Sequence, residues 1–132
     1  MVSFTHHLRV RYGECDAQKV VFNARYGDYV DVAVLEFMRS LPMGARFLNG
    51  ELDYQVVRQT TEWRAPARFD DQLAITISPA VLGTTSFTLR AEFRRAGEDD
   101  LLATSETVYV LMDGATLQKF ALPADVRAAL AG

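Results

Sequence analysis

The segment NARYGDYVDVAVLEFMRS, residues 23–40, constrains the fold more than any other part of the chain. Residues 24–40 read as a helix. Asn23 stands as its N-cap, where a side-chain oxygen can accept from a free first-turn N–H. Pro42 ends the helix near Ser40. At about 100° per residue, Arg25, Asp28, Asp31, Glu36 and Arg39 collect in one stripe of roughly 140°. The other 220°, roughly, carries Tyr26, Tyr29, Val30, Val32, Ala33, Val34, Leu35, Phe37 and Met38. A surface helix shows a narrower apolar face. This helix is therefore expected in the middle of a domain.

The rest of the chain supplies strands to cover it. Residues 4–12 alternate, with Phe4, His6, Leu8, Val10 and Tyr12 on one face and Thr5, His7, Arg9 and Arg11 on the other. Residues 53–64 are rich in Val, Thr, Tyr and Trp. Residues 73–78, 86–94 and 101–112 follow, divided by APARFDD, VLGTT and RAGEDD, all with turn chemistry. The LPADVRAALAG end reads as a short helix with Pro123 near its first position and Gly132 past its end. Short connections favour antiparallel pairing. One strand, one apolar helix and four more strands predict an α+β architecture: a five-stranded antiparallel sheet wrapped around the helix.

Bulk properties exclude several classes of function. With 132 residues and no linker or repeat, one domain over 1–132 is expected. A net charge of −3 is not the basic footprint of a nucleic-acid binder. No stretch has the ~18 apolar residues of a membrane span, and MVSFTHHLRV lacks the apolar run of a signal peptide. A single Cys fits a reducing compartment, so a cytoplasmic location is expected.

The absent motifs narrow the chemistry further. His6 and His7 are the only histidines, and neighbours on a strand point to opposite faces, so they cannot share a metal. Nucleotide loops, nucleophile elbows and HExxH are missing. No metal and no cofactor are expected. Chemistry must run on carboxylates and backbone groups.

The stretch YGECDAQKVVFNARYGDY, Tyr12–Tyr29, offers both. The first turn of a helix carries free N–H groups and a partial positive charge. Asp16 lies upstream of that turn, on a loop long enough to fold back toward it. A carbonyl held between them would be polarised by N–H groups and attacked with help from the carboxylate. A thioester suits this device, because a thiol of pKa about 8–9 leaves without a general acid. Asp16 could serve as nucleophile or as general base on water. Cys15 reads as a small packed residue whose acidic neighbour raises its pKa.

The region YGECDAQKVVFNARYGDYVDVAVLEFMR resembles the signature of hotdog-fold acyl-CoA thioesterases of the 4-hydroxybenzoyl-CoA thioesterase class. The shared positions are Tyr12, Glu14, Asp16, Val21, Asn23, Tyr26, Tyr29 and Asp31. VVRQTTEWRAPARFDDQLAI, GTTSFTLRAEF and ATSETVYVLMD extend the similarity over nearly the whole chain, in order. The resemblance implies that Asp16 is the catalytic acid and that a backbone N–H at Asn23 polarises the thioester carbonyl. It also implies that Tyr26 packs the helix start, that Asp31 lies near the acyl pocket and that Ser86 lies near the pantetheine tunnel. A homodimer or homotetramer with sites at the subunit interface is implied as well.

Two positions depart from the signature. Lys19 stands where the family commonly has Gly, in a conformation that strains a residue with a side chain. Gly83-Thr84-Thr85 replaces basic residues that some members carry before the Ser. CoA phosphates then fall to Lys19 and to Arg58, Arg64 or Arg68. Two rival readings are a non-catalytic acyl or CoA binder and a thioesterase acting on acyl carrier protein.

Overall fold

The computed structural model describes residues 2–132. The strands are β1 (Phe4–Arg9), β2 (Leu52–Trp63), β3 (Gln72–Leu82), β4 (Ser86–Arg95) and β5 (Leu101–Asp113). The helices are α1 (Arg25–Ser40), α2 (Ala45–Leu48) and α3 (Ala124–Ala131). The strands form one five-stranded sheet in the order β1-β3-β4-β5-β2, every pair antiparallel. The predicted α+β architecture is thus observed: one sheet curled over one long helix. Among the described residues no helix is long and apolar enough to cross a membrane.

Alternation along the strands explains which face the helix takes. Leu73, Ile75 and Ile77 of β3, Phe87, Leu89, Ala91 and Phe93 of β4, and Ala103, Tyr109 and Leu111 of β5 are all buried. From α1, Tyr26, Tyr29, Val30, Ala33, Val34, Phe37 and Met38 pack against them. Burying each large apolar side chain contributes about 1.5–3 kcal/mol. Toward β2 the core becomes aromatic: the Tyr109 ring stacks on Phe87 at 5.3 Å and meets Tyr54 edge-on at 5.3 Å.

Several expectations are corrected. The first strand stops at Arg9 rather than residue 12: Val10 N–H still donates in register to Asp71 O (2.9 Å), but Asp71 N–H turns back to Arg68 O (3.1 Å) and the pairing ends there. Tyr12 consequently opens a 3-10 turn at 72% exposure instead of facing the core. Asn23 is not the N-cap. Ala24 takes that position in helical conformation, with no side-chain cap. The backbone does the capping: Arg25 N–H donates to Phe22 O (2.8 Å) and Tyr26 N–H to Asn23 O (3.3 Å). The helix is also less enclosed than its apolar arc suggests, since Val32 and Leu35 remain 48% and 37% exposed. One sheet covers one side of α1; the other side is bare in a single protomer.

Strand β3 runs past the expected end at Ser78, through Pro79 to Leu82. Proline is tolerated because β1 pairs β3 only as far as Ile77, so the missing N–H breaks no ladder there. The short helix α2 and bulges at Val57 of β2 and Ala80 of β3 have no counterpart in the sequence reading.

Candidate active site

Between β1 and α1 the chain folds into a small hairpin. Asp16 N–H donates to Val20 O (3.0 Å) and Phe22 N–H to Glu14 O (3.0 Å), while Cys15 bridges Val21. Lys19 N–H closes the turn on Asp16 O at 2.9 Å. The Asp16 carboxylate shapes this turn, its Oδ1 accepting from Gln18 N–H at 2.8 Å. Asp16 is exposed, and its other oxygen has no protein partner among the described residues. Lys19 has φ +62, the left-handed conformation usually left to glycine. The loop therefore keeps the path a glycine would allow. It is pinned there from outside, since Phe69 N–H donates to Lys19 O (3.0 Å) and Val21 N–H to Ala67 O (2.8 Å).

Asp16 lies level with Val20, three residues short of Asn23. At strand spacing that is roughly 10 Å. The carboxylate and the helix start do not touch; the space between them is of the order needed for a bound group. At the helix start, the N–H groups of Asn23 and Ala24 donate to no protein acceptor among the described residues. Beside them opens a cavity of about 260 Å³ lined by Val20, Asn23, Tyr26, Trp63, Arg64 and Pro66. Tyr26 forms its floor. Its ring lies edge-on to Trp63 (6.1 Å) and Phe93 (5.3 Å), and its hydroxyl accepts from Ala67 N–H (3.3 Å). Free N–H groups at a helix start can donate to an anion or to a developing oxyanion.

The chain is similar to known proteins in sequence and in fold. The thioesterase-like superfamily profile matches residues 10–130. The chain belongs to this superfamily. It is 32% identical to the acyl-CoA thioester hydrolase YbgC of Escherichia coli over 124 residues, 93% of this chain and 92% of the relative. It is 24% identical to the 1,4-dihydroxy-2-naphthoyl-CoA hydrolase of Nostoc punctiforme, covering 95% of this chain and 84% of the relative. Among solved structures, a gentisyl-coenzyme A thioesterase superposes with a TM-score of 0.84 at 27% identity, over 98% of this chain and 100% of the other.

In this thioesterase-like protein the remaining candidate residues fall into distinct places. Arg64 lines the cavity, Lys19 sits in the hairpin turn, and Arg68 bridges Val20 beside it. None of the three forms an ion pair among the described residues. Arg58 lies elsewhere. The bulge at Val57 shifts the alternation of β2, so Arg58 joins Thr60, Glu62 and Arg90 in a groove of about 380 Å³ on the sheet face away from α1.

Asp31 lies further along α1, close enough to Tyr54 and Tyr109 to raise both phenols, Tyr54 to about 12 with burial as the main cause. Burial, then the neighbouring Asp28, raises Asp31 itself. Ser86 opens β4 at the opposite end of the sheet from Phe93, which touches Tyr26. Seven residue rises, roughly 24 Å, separate Ser86 from that site within one chain. Cys15 is raised by burial first and by Glu14 and Asp16 next, which leaves it a poor nucleophile.

Sequence reasoning missed Trp63 and Gln59. Trp63 stands across the cavity from Asn23, and Gln59 Oε1 lies 3.2 Å from where a Cβ on Gly27 would sit. Both point toward α1 only because the β2 bulge re-phases the strand. No spacing in the sequence marks it.

Proposed function

We propose that this protein hydrolyses acyl-CoA thioesters to free acid and CoA, with Asp16 and the main chain at Asn23 as the working pair. The observation that carries the proposal is that Asn23, whose N–H is unpartnered among the described residues, lines a cavity beside the Asp16 hairpin, with a second unpartnered N–H next to it at Ala24. The relatives named for acyl-CoA hydrolysis support it.

In the proposed reaction the thioester oxygen accepts from the Asn23 N–H. The N–H stabilises the negative charge that develops as the carbonyl carbon becomes tetrahedral. Asp16 acts either directly or through water. As nucleophile, a carboxylate oxygen bonds the carbonyl carbon and the C–S bond breaks, leaving a mixed anhydride and CoA thiolate. Water then opens the anhydride and regenerates the carboxylate. As general base, Asp16 takes a proton from water as that water attacks, and the thiolate leaves in the same way. Tyr26 fixes the helix start by packing. Lys19, with Arg64 and Arg68, offers cations to the CoA phosphates; Arg58, on the other sheet face, serves no contact within the same protomer.

A complete site takes two copies of the chain in this reading. β2 is an open edge of twelve residues, with Val56, Val57 and Trp63 at 43%, 59% and 47% exposure. Such an edge invites pairing. A twofold axis through its middle pairs it antiparallel with itself. The Tyr54 end of the partner then lies opposite Trp63. This brings Asp31 of the partner subunit and Ser86 of the partner subunit toward the Asn23 cavity, where the acyl and pantetheine groups would lie. A homodimer, or a tetramer of two such pairs, is the assembly in this reading, and the single Cys supports a cytoplasmic location for it.

The test is release of free thiol from a panel of aliphatic and aromatic acyl-CoAs, with sedimentation at matched concentration. Turnover by a dimer is expected. Turnover on no member of the panel would overturn the enzyme reading, and an active monomer would overturn the shared site.

A further inference from the structure

Two residues of the Tyr12–Asp31 signature, Glu14 and Tyr29, take no part in the chemistry above, yet they form the most connected polar cluster near it. The Tyr29 hydroxyl donates to Glu14 Oε1 at 2.8 Å. Arg11 N–H donates to the same oxygen at 2.8 Å, and the Arg11 guanidinium reaches Oε2 at 3.1 and 3.3 Å. The Glu14 carbonyl accepts from Phe22 N–H, the last residue of the hairpin. Only 15% of the Glu14 side chain is exposed and Tyr29 is 3% exposed, so solvent does not compete freely for these bonds.

The connectivity gives the cluster a purpose. Glu14 is two residues from Asp16 on one arm of the hairpin. Tyr29 lies one turn inside α1, just ahead of which Asn23 and Ala24 carry the open N–H groups. Asp16 itself makes no hydrogen bond to the helix. The arm of the hairpin that runs into α1 is tied to it by the backbone and by Arg25 N–H on Phe22 O, and indirectly through Ala67, which bonds both Val21 and the Tyr26 hydroxyl. The Glu14–Tyr29 bond is the direct side-chain attachment of the other arm, the one that carries Asp16, and it limits how that arm can tilt against the helix.

We infer that Glu14 and Tyr29 are positioning residues that fix the distance between the Asp16 carboxylate and the helix-start N–H groups. The inference rests on the functional reading above. A misplacement of about 1 Å between reacting groups costs about 100-fold in rate, so a lost attachment should appear in kcat and leave KM nearly unchanged.

The test uses Tyr29→Phe, which removes one oxygen from a packed ring, with Glu14→Ala, Glu14→Gln and the double variant Glu14→Ala/Tyr29→Phe. Two readouts are taken well below the melting temperature: acyl-CoA kinetics, and amide exchange of Asp16 and Phe22, whose N–H groups close the hairpin. Tyr29→Phe should lower kcat by about 10- to 100-fold with KM within about twofold. It should raise exchange at Asp16 and Phe22 by about fivefold or more, with Val34 in mid-helix unchanged. Glu14→Gln keeps an acceptor for Tyr29 and should restore both readouts to near wild type. The double variant should be no worse than Glu14→Ala alone.

Hairpin exchange unmoved by Tyr29→Phe overturns the inference, as does faster exchange with kcat within twofold of wild type. Loss that tracks melting temperature in all variants, Glu14→Gln included, shows a fold-wide role and also overturns it. A wild-type protein that turns over no acyl-CoA sinks the functional reading first and the positioning role with it, an outcome distinct from the other three.

Discussion

Lys19 offers a clean measurement of strain at the proposed site. Its φ of +62 is held by the Asp16 turn and by Phe69. A side chain in the left-handed region costs about 1–2 kcal/mol, and glycine escapes that cost. Glycine also loses more chain entropy on folding, by about 0.5–1 kcal/mol relative to alanine. Lys19→Ala keeps the strain and removes the charge; Lys19→Gly removes both. The difference between the two variants isolates the backbone. Lys19→Gly should be the more stable by about 0.5–1 kcal/mol, after subtracting the entropy from the strain. Urea unfolding reads this as a higher midpoint at unchanged slope. The same pair separates backbone from charge in catalysis. If the Lys19 ammonium meets CoA phosphate, KM rises equally in both variants, and the gap from wild type is widest at low salt and narrows as salt screens the contact. A Lys19→Gly protein less stable than Lys19→Ala would refute the strain argument.

Two further predictions concern buried polar groups. Among the described residues the Tyr109 hydroxyl is the buried side-chain polar atom without a hydrogen-bond partner. Such a group costs about 1–3 kcal/mol, so Tyr109→Phe should raise the melting temperature by a few degrees; a lower one would show that the hydroxyl finds a partner in solution. Glu14 is raised by burial but lowered more by the bonds from Arg11 and Tyr29, leaving its pKa depressed. A depressed acid stabilises the fold above its unfolded pKa, about 4.3, and loses that contribution as pH falls through the folded value. Stability should therefore fall below about pH 4, and Glu14→Gln should flatten that limb; an equal acid limb in the variant would contradict the assignment.

Much of the fold was legible because periodicity reports burial. Alternation in β3 and β4 marks the same inward residues that the structure buries, from Leu73 to Phe93. The α1 arc was legible too, but Val32 and Leu35 on it remain exposed in one protomer. Apolar patterning records every surface a residue will cover, including any between copies, and does not say which. The N-cap failed because Asn23 competes with backbone: Phe22 O and Asn23 O take the first helical N–H groups themselves. Arg58, Gln59 and Trp63 were illegible for one reason. A single extra residue at Val57 re-phases β2, and no residue type there announces a bulge. Lys19 was legible as a problem, since a signature Gly position fixes a backbone shape; that the loop keeps this shape with lysine emerges only from its hydrogen bonds to Asp16 and Phe69.

The most direct test of the central claim is the turnover of Asp16→Asn on the best acyl-CoA substrate. Asparagine keeps Oδ1 as acceptor for Gln18 N–H, so the hairpin turn is retained. It removes the charge and the basicity that either mechanism needs. The account predicts unchanged melting, KM within a few-fold of wild type, and kcat lower by about 100-fold or more. A folded Asp16→Asn protein with wild-type kcat would contradict it.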